Sequence, residues 1–210
     1  MDKKKIVSEG YDKAAEKYLA ERHENLEEMK FLPEFSSLIK QDGKVLDAGC
    51  GAGLPFTKYL SERFHVIGID ISKKQIDLAK KNVPKAQFFV KDMTELDYPE
   101  NFFDGILAYY SIIHVPRKEH HGLFKNFYRM LKPNGVALMC LHATDDPEYI
   151  NDDFFGAKMY WSGFDKDTNL KLLRDIGFQI IWSEIVADSL GEEGKHLFVL
   201  LRKLRSDYYG

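Results

Sequence analysis

Three glycines and a carboxylate are the residues of this chain whose types and spacing point most directly to chemistry. The glycines lie in the stretch KVLDAGCGAG, which begins as an apolar run, and Asp70 follows the next apolar run, HVIGI. Glycines in such a turn let the backbone bend sharply and approach a ligand with no Cβ atoms in the way. A carboxylate at the end of the following strand suits the hydroxyls of a ribose. We therefore expect a nucleotide-like cofactor to be bound by Gly49, Gly51, Gly53 and Asp70.

The spacing of the glycines separates two kinds of cofactor. The dinucleotide fingerprint G-x-G-x-x-G needs a third glycine where this chain has Leu54, and Asp47 precedes the glycines. A carboxylate there suits a ligand with an ammonium group better than it suits a pyrophosphate. The segment Asp47–Gly53 resembles the class I S-adenosylmethionine-dependent methyltransferases of the broad small-molecule (type 11-like) kind, and the resemblance covers roughly residues 40–140. It implies S-adenosylmethionine as cofactor, S-adenosylhomocysteine as product, and Asp47 as a cofactor-binding residue.

Further candidate cofactor ligands follow the other apolar runs of the sequence. Since the carboxyl ends of parallel strands share one edge of a sheet, we expect these residues to meet the same ligand. In the resembled family the residues after the third strand, here Asp92 and Met93, hold adenine, and Ile71 adjoins the ribose-binding carboxylate. The segment Tyr109–Ser111 is similar to the family segment whose backbone carbonyls receive the methionine ammonium group. Tyr109 is therefore expected to bind the cofactor.

The N-terminal segment predicts an amphipathic helix with a tyrosine-bearing face. The residues on this face are Tyr11, Ala14, Ala15, Tyr18, Leu19 and Arg22. In similar methyltransferases a leading helix closes over the methionine end of the cofactor, which implies cofactor contacts for Tyr11 and Tyr18. Residues 1–40 are thus expected to form a helical lid, although a packing stripe explains the same spacing.

Residues 143–165 form a connection that is too long and too aromatic for a simple turn. Long loops in compact domains tend to be functional, so we expect a substrate-side insertion here. Its aromatic residues either line an acceptor cavity, which we favour, or cover the sheet. The residues expected in the substrate pocket are Tyr110, Phe155, Tyr160 and Trp161, with the alternative that Tyr109 and Tyr110 are core aromatics.

Apolar runs alternate with amphipathic stretches along the chain, which predicts an α/β, doubly wound sheet with helices on both faces. Strands are expected at 44–48, 65–69, 86–90, 103–109, 134–142, 178–187 and 195–202. Helices are expected from Pro55, from Ser72 (as N-cap) to Asn82, and over 117–131. The last two strands are too close for a crossover helix, so that edge is antiparallel. The resemblance implies seven mostly parallel strands in the order 3-2-1-4-5-7-6, with strand 7 antiparallel.

Length and composition limit the number of domains, the partners and the location that we expect. A chain of 210 residues fits one domain over 1–210, and a net charge of −3 offers no general attraction for nucleic acid. We expect no membrane association and a cytoplasmic location, because no apolar run reaches membrane-spanning length and the segment MDKKK is unlike a signal peptide. Two cysteines predict neither a disulfide framework nor a metal site. The oligomeric state is not readable from the sequence.

The expected reaction is in-line transfer of the sulfonium methyl group to a small-molecule acceptor. His114 is the candidate general base if the acceptor is an alcohol or a protonated amine. Two alternatives remain at this stage: a domain that binds the cofactor without catalysis, and a NAD(P)-dependent oxidoreductase, to which the run YRMLK at 128–132 has a chance likeness. A nucleic-acid amino-methyltransferase is disfavoured, because the Pro-Pro-aromatic tetrapeptide of those enzymes is replaced here by AYYS at 108–111.

Overall fold

The computed structural model describes residues 2–21, 27–187 and 195–205. Arg22 of the expected lid face and most of the polar connection before the last strand lie outside these residues. The described helices are α1 (Lys3–Glu21), α2 (Leu32–Ser37), α3 (Phe56–Ser61), α4 (Lys73–Asn82), α5 (Arg117–Met130) and α6 (Lys166–Ile176). The strands are β1 (Lys44–Ala48), β2 (His65–Asp70), β3 (Gln87–Val90), β4 (Phe103–Ala108), β5 (Leu131–His142), β6 (Asp146–Phe154), β7 (Ala157–Gly163), β8 (Phe178–Ala187) and β9 (Lys195–Lys203).

Seven of these strands form one sheet in the order β3-β2-β1-β4-β5-β9-β8. The pairs from β3 to β5 are parallel, and β9 runs antiparallel to both β5 and β8. Counted within this sheet alone, the order is 3-2-1-4-5-7-6, which confirms the expected topology. The order reverses between β1 and β4, and ligands of open α/β sheets bind at such a switch point.

Apolar side chains bury both faces of the sheet. Along β1, Val45 belongs to a cluster with Leu32 and Phe35 of α2, whereas Leu46 belongs to a cluster with Phe124 and Phe127 of α5. Successive strand side chains point to opposite faces, so the two clusters lie on the two sides of the sheet. Helices on both faces therefore hold the strand ends in place, as the alternation of the sequence predicts.

The helix boundaries follow local capping chemistry. Ser72 is the N-cap of α4, and its Oγ accepts a hydrogen bond from the backbone N–H of Gln75 at 3.1 Å, as expected. The expected start of α3 is wrong by one residue. Pro55 is the N-cap and the helix begins at Phe56, because the Pro55 carbonyl already accepts the first helical hydrogen bond, from the N–H of Tyr59.

The insertion at 143–165 contains a hairpin that the sequence does not predict. Strands β6 and β7 pair antiparallel, and the connecting Phe155 and Gly156 have φ angles of 52° and 85°. Positive φ at both positions of a two-residue loop defines a type I′ turn, which matches the twist of the paired strands. We call α1 together with this hairpin the lid.

The two parts of the lid pack tightly against each other. Ile6 and Val7 of α1 form a buried cluster with Met159 and Tyr160 of β7. Gly10 permits this approach, because a Cβ at that position would lie 2.5 Å from the carbonyl oxygen of Lys158. The helix is therefore held from behind by the hairpin. No helix in the described ranges has the length and apolar character needed to cross a bilayer.

Candidate active site

A cavity opens at the carboxyl ends of β1 to β4, between the sheet and α1. This is the switch point of the sheet, where a ligand was expected. The following predicted site residues line it: Gly49, Gly51, Asp70, Ile71, Asp92, Met93, Tyr109, Tyr110, His114, Tyr11 and Tyr18. The predicted residues that do not line it are Asp47, Gly53, Phe155, Tyr160 and Trp161.

Backbone geometry makes the glycines necessary in the turn between β1 and α3. Gly49 has φ +83°, and a Cβ on it would lie 2.1 Å from the Cβ of Ser111. Gly51 has φ +53°, and the nearest atom to a Cβ there is Oε1 of Gln75, at 3.9 Å. A side chain at position 51 would therefore occupy the cavity itself. The turn brings bare backbone up to the space that a ligand would fill.

Asp70 connects the glycine turn to the start of α4. Its Oδ2 accepts a hydrogen bond from the N–H of Gly51 at 3.0 Å, and its Oδ1 accepts one from the N–H of Ser72 at 2.8 Å. Burial raises the pKa of this carboxyl to about 6, and the two backbone donors act in the opposite direction. Each oxygen keeps a lone pair for a further donor. Asp70 is thus a fixed acceptor at the cavity wall.

Asp47 and Gly53 lie behind the cavity wall. Asp47 is buried and its Oδ2 accepts a hydrogen bond from the hydroxyl of Thr57 at 2.5 Å. Burial raises the pKa of Asp47 to about 7. A Cβ on Gly53 would meet Val83 of α4 at 3.0 Å, so this glycine serves helix packing. Asp47 and Gly53 were expected to contact a ligand. The structure instead places them beneath the turn, which they support.

Asp92 is held by a partner that the sequence does not suggest. Its Oδ1 accepts from the N–H and the hydroxyl of Thr94, and its Oδ2 pairs with the ammonium of Lys4 at 2.8 Å. Lys4 also pairs with Glu119 at 2.8 Å. Burial acts to lower the pKa of Lys4. The hydrogen bonds to the two carboxylates act to raise it and outweigh burial, so the pKa lies above its ordinary value. The lid is therefore anchored at the end of the cavity assigned to adenine.

Tyr11 and His114 form a hydrogen-bonded pair across the cavity. The Tyr11 hydroxyl lies 2.9 Å from His114 Nε2, and His114 Nδ1 lies 2.7 Å from the carbonyl oxygen of Tyr160. A carbonyl oxygen only accepts, so Nδ1 carries the proton and Nε2 accepts from the tyrosine O–H. Burial lowers the pKa of His114 to about 4, although the bond to Tyr160 acts against that shift. The imidazole is neutral at neutral pH.

Tyr109 and Tyr110 are both core residues and cavity residues, which were the two alternatives expected for them. Both are buried, and both rings pack against Phe198 at centroid distances of 5.1 Å and 5.9 Å. The ring of Tyr109 also lies 4.8 Å from that of Phe56. They are core aromatics that also line the cavity.

The aromatic residues of the hairpin lie behind the cavity rather than along it. Phe155 packs on Tyr18 with ring centroids 5.8 Å apart, and Trp161 packs on His114 at 5.2 Å. Tyr160 contributes its backbone carbonyl to His114, and its side chain is buried. The expected pocket role of these three residues is therefore corrected. Because the hairpin packs against α1, its rings position the residues that reach the cavity.

The cavity residues that escape sequence reasoning include Lys4 and Gln75. Lys4 belongs to the single basic run of the chain, which suggested only a charged terminus. Ser111 donates to the carbonyl oxygen of Ala48 at 2.7 Å and braces the turn. Among the residues described, no group of three or more His, Cys, Asp or Glu side chains is arranged to hold a metal ion.

Comparison with known proteins identifies the kind of domain that this geometry belongs to. Residues 45–135 match the family model described as "Methyltransferase domain". The chain is 34% identical over 154 residues to phosphoethanolamine N-methyltransferase 3 of Arabidopsis thaliana, covering 70% of this chain and 31% of that protein. It is 30% identical over 168 residues to sterol 24-C-methyltransferase erg-4 of Neurospora crassa, covering 71% and 43%. The chain thus spans about a third of the length of the first curated relatives it matches.

Solved structures support the same fold. Burkholderia thailandensis 1,6-didemethyltoxoflavin-N1-methyltransferase, solved with its substrate and S-adenosylhomocysteine, superposes with a TM-score of 0.62 at 19% identity. The superposition covers 95% of this chain and 91% of that one. At this identity the likeness establishes the fold, which agrees with the strand order described above.

Proposed function

We propose that this chain, whose residues 45–135 match the methyltransferase-domain family model, is a class I S-adenosylmethionine-dependent methyltransferase that transfers the methyl group of that cofactor to a nitrogen atom of a small-molecule acceptor. One observation carries the proposal: a single cavity contains the Asp70 carboxylate and glycine turn at one part of its wall and the Tyr11–His114 pair at another. The first feature suits the cofactor and the second suits an acceptor.

The residues present fit the cofactor. The backbone at Gly51 faces open space, and Asp70 offers carboxylate lone pairs to ribose hydroxyls. We assign adenine to Asp92 and Met93 and the methionine end to Gly49 and the segment beginning at Tyr109, since all of them line the cavity. When bound, S-adenosylmethionine supplies a methyl group on a positively charged sulfur, which is already a good leaving group.

Hydrogen-bond polarity restricts the acceptor. Tyr11 has one hydroxyl proton and gives it to His114, so toward a ligand its oxygen can only accept. An acceptor held by Tyr11 must therefore present an N–H or O–H group. His114, with a pKa of about 4, is too weak a base to remove the proton of an alcohol near neutral pH. A neutral amine brings the donor and needs no such base.

The aromatic lining suits the charge that develops during transfer to nitrogen. Positive charge passes from sulfur to the acceptor, and the faces of tyrosine rings attract cations. Tyr11, Tyr18, Tyr109 and Tyr110 supply such rings around the cavity. The relatives named as phosphoethanolamine N-methyltransferases support this choice. Orientation of acceptor and cofactor in line then supplies roughly 7–11 kcal/mol of the barrier reduction.

The domain organisation supports a small acceptor. We take the chain as one domain in which α1 covers the cavity and the hairpin within residues 143–165 holds that helix from behind. The rest of the expected 1–40 lid is corrected as far as it is described, because Leu32 and Phe35 of α2 pack on the sheet with Val45. The ribose side is closed by Asp12, whose Oδ1 accepts from the Ser72 hydroxyl at 2.6 Å and from the N–H of Lys74 at 3.0 Å. A cavity covered in this way favours a metabolite over a nucleic acid, and the net charge of −3 agrees.

Transfer of labelled methyl from S-adenosylmethionine to a panel of weakly basic small amines, which are neutral near pH 7, tests this function. We expect methylation of at least one amine and none of the matched alcohols. Binding of S-adenosylhomocysteine without transfer to any acceptor would instead favour the non-catalytic binding domain. A change of NADH fluorescence on mixing would favour the oxidoreductase.

A further inference from the structure

Gln75 presents a buried oxygen to the cavity. The residue lies in the first turn of α4 and is 2% exposed. Its backbone N–H is used in the cap with Ser72, and its side chain lines the cavity. Within the part of the chain that the structure describes, the Oε1 atom has no hydrogen-bond partner. Buried side-chain oxygens are satisfied in the large majority of cases, so this one calls for a donor from outside the protein.

The position of this oxygen assigns it to one end of the cavity. It is the nearest atom to a Cβ built on Gly51, at 3.9 Å, and the N–H of Gly51 bonds to Asp70. Gln75 follows Asp70 by five residues, and the two flank the same strand-to-helix turn. The groups expected to meet adenine and the methionine ammonium follow β3 and β4 instead. Gln75 Oε1 and the Asp70 carboxylate therefore face the same part of a ligand.

We propose that Gln75 binds the cofactor by accepting a hydrogen bond from one ribose hydroxyl, while Asp70 accepts from the other. The inference rests on the proposed function, since it names a further residue of the same cofactor site. Both oxygens of Asp70 already accept a backbone N–H, which limits the directions left for two sugar hydroxyls. The amide oxygen of Gln75 adds a separate acceptor. A sugar hydroxyl would supply the hydrogen-bond donor that this oxygen lacks among the described residues.

A ribose-binding role and a purely structural role of Gln75 predict different effects on ligand affinity. If Gln75 only fills space, then replacing the amide by an apolar group of similar length removes a buried unsatisfied oxygen and leaves ligand affinity unchanged. If it binds ribose, the same replacement stabilises the free protein or leaves it unchanged, yet weakens the cofactor complex.

The experiment uses Gln75→Met and Gln75→Leu in the full chain, with Gln87→Met as the matched control on the exposed edge strand β3. Isothermal titration calorimetry measures binding of S-adenosylhomocysteine and of its 2′-deoxy and 3′-deoxy analogues. Thermal unfolding without ligand reports the folded state of each variant.

We expect both Gln75 variants to bind S-adenosylhomocysteine about tenfold more weakly than the native chain, while Gln87→Met changes affinity by less than about twofold. One deoxy analogue should lose about tenfold on the native chain and nothing further on Gln75→Met, because the partner of the missing hydroxyl is already gone. The unfolding midpoint of Gln75→Met should equal or exceed that of the native chain.

Equal affinity of the native chain and both Gln75 variants for S-adenosylhomocysteine would overturn the inference while leaving the proposed function intact. The same result follows if the variants lose affinity equally for the parent ligand and both deoxy analogues, since Gln75 would then act without contacting a hydroxyl. A native chain that fails to bind S-adenosylhomocysteine at all would remove the proposed function, and the inference with it.

Discussion

The cofactor edge and the lid meet at one cavity but are held together in different ways. The cofactor edge, residues 47–53 with Asp70, depends on backbone groups: the N–H groups of Gly49 and Cys50 both donate to the carbonyl oxygen of Ile69. The lid depends on side chains that meet across long stretches of sequence, such as Tyr11 with His114. Backbone geometry therefore shapes the edge proposed to bind the cofactor, whereas side chains that can change without altering the fold shape the region proposed to bind the acceptor.

The two regions also differ in how far their charged groups are buried. At the cofactor edge, burial raises the pKa of Asp47 to about 7 and that of Asp70 to about 6. At the lid, Lys4 is partly exposed and is held by two carboxylates at 2.8 Å. Ion pairs near the surface are screened by salt, whereas buried groups are screened much less. The two regions should therefore respond differently to substitution, pH and ionic strength.

A matched pair of glycine substitutions should show the largest difference. Gly49→Ala places a Cβ 2.1 Å from Ser111 in a left-handed backbone, and Gly156→Ala in the hairpin turn meets only the Lys17 ammonium, at 3.4 Å. Both lose about 1–2 kcal/mol to the left-handed conformation. Gly49→Ala loses about 1–3 kcal/mol more by overpacking.

Chemical denaturation measures the unfolding free energies of these two variants, and calorimetry measures their affinity for S-adenosylhomocysteine. Gly49→Ala should lose most of that affinity and Gly156→Ala should keep it. Equal losses in the two variants would show that the backbone of the cofactor edge has no special requirement.

Removal of one hydroxyl from the lid should affect turnover more than cofactor binding. Tyr11→Phe keeps the ring contacts with Tyr18 and Phe154 but deletes the bond to His114. Misplacement of the acceptor should lower kcat about a hundredfold. Steady-state kinetics and calorimetry separate the two effects. A fall in S-adenosylhomocysteine affinity as large as the fall in kcat would assign Tyr11 to the cofactor edge instead.

Acidification should weaken cofactor binding without protonating His114. Burial raises the pKa of Asp70 to about 6, and ribose hydroxyls bind its charged form better, so affinity should fall as pH falls through that value. From pH 7 to about pH 5 the loss should be about tenfold, because only about a tenth of the carboxyl stays ionised at the lower value. Asp47 also gains a proton over this range, which reduces its repulsion of Asp70 and makes the loss smaller.

His114 provides the internal reference for the pH experiment. Its pKa of about 4 keeps it neutral over the whole range. The variant Asp70→Asn should show a flat affinity profile in calorimetry. A flat profile for the native chain would contradict the assignment of Asp70 as a ligand.

Loss of the lid anchor should have the smallest effect. Lys4→Met breaks the pairs with Asp92 and Glu119 and should weaken S-adenosylhomocysteine binding about threefold at low salt. The difference from the native chain should shrink at about 0.5 M salt, where charge pairs are screened. Lys5→Met is the control, because Lys5 is exposed and its pair with Glu9 spans 3.7 Å. A loss that does not depend on salt would mean that Lys4 acts through packing.

The cofactor edge was predictable from sequence because its information is local. The glycine turn, Asp70 and the Ser72 cap all lie within 26 consecutive residues, and each side chain type has one main structural use there. The alternation of apolar runs likewise predicts the sheet, including its antiparallel edge.

The lid was harder to predict, for physical reasons that differ from residue to residue. Strand β6 has a polar sequence and its turn is Phe-Gly, so neither an apolar period nor an Asn-Gly signal marks the hairpin. The partner of His114 Nδ1 is a backbone carbonyl, which any residue at 160 would supply. Gln75 and Lys4 have side chains typical of solvated helix faces. Gln75 reaches the cavity from the first turn of α4, and Lys4 reaches it from α1.

Calorimetric titration of S-adenosylhomocysteine into the native chain and into Asp70→Ala tests the central claim most directly. The claim is that the carboxyl ends of β1 to β4 form an S-adenosylmethionine site built around Asp70. We expect saturable, one-to-one binding by the native chain and a loss of about a hundredfold in Asp70→Ala, because a charge-assisted hydrogen bond to ribose disappears together with the bonds that hold the N–H groups of Gly51 and Ser72. Absence of binding by the native chain, or equal affinity of the two proteins, would contradict it.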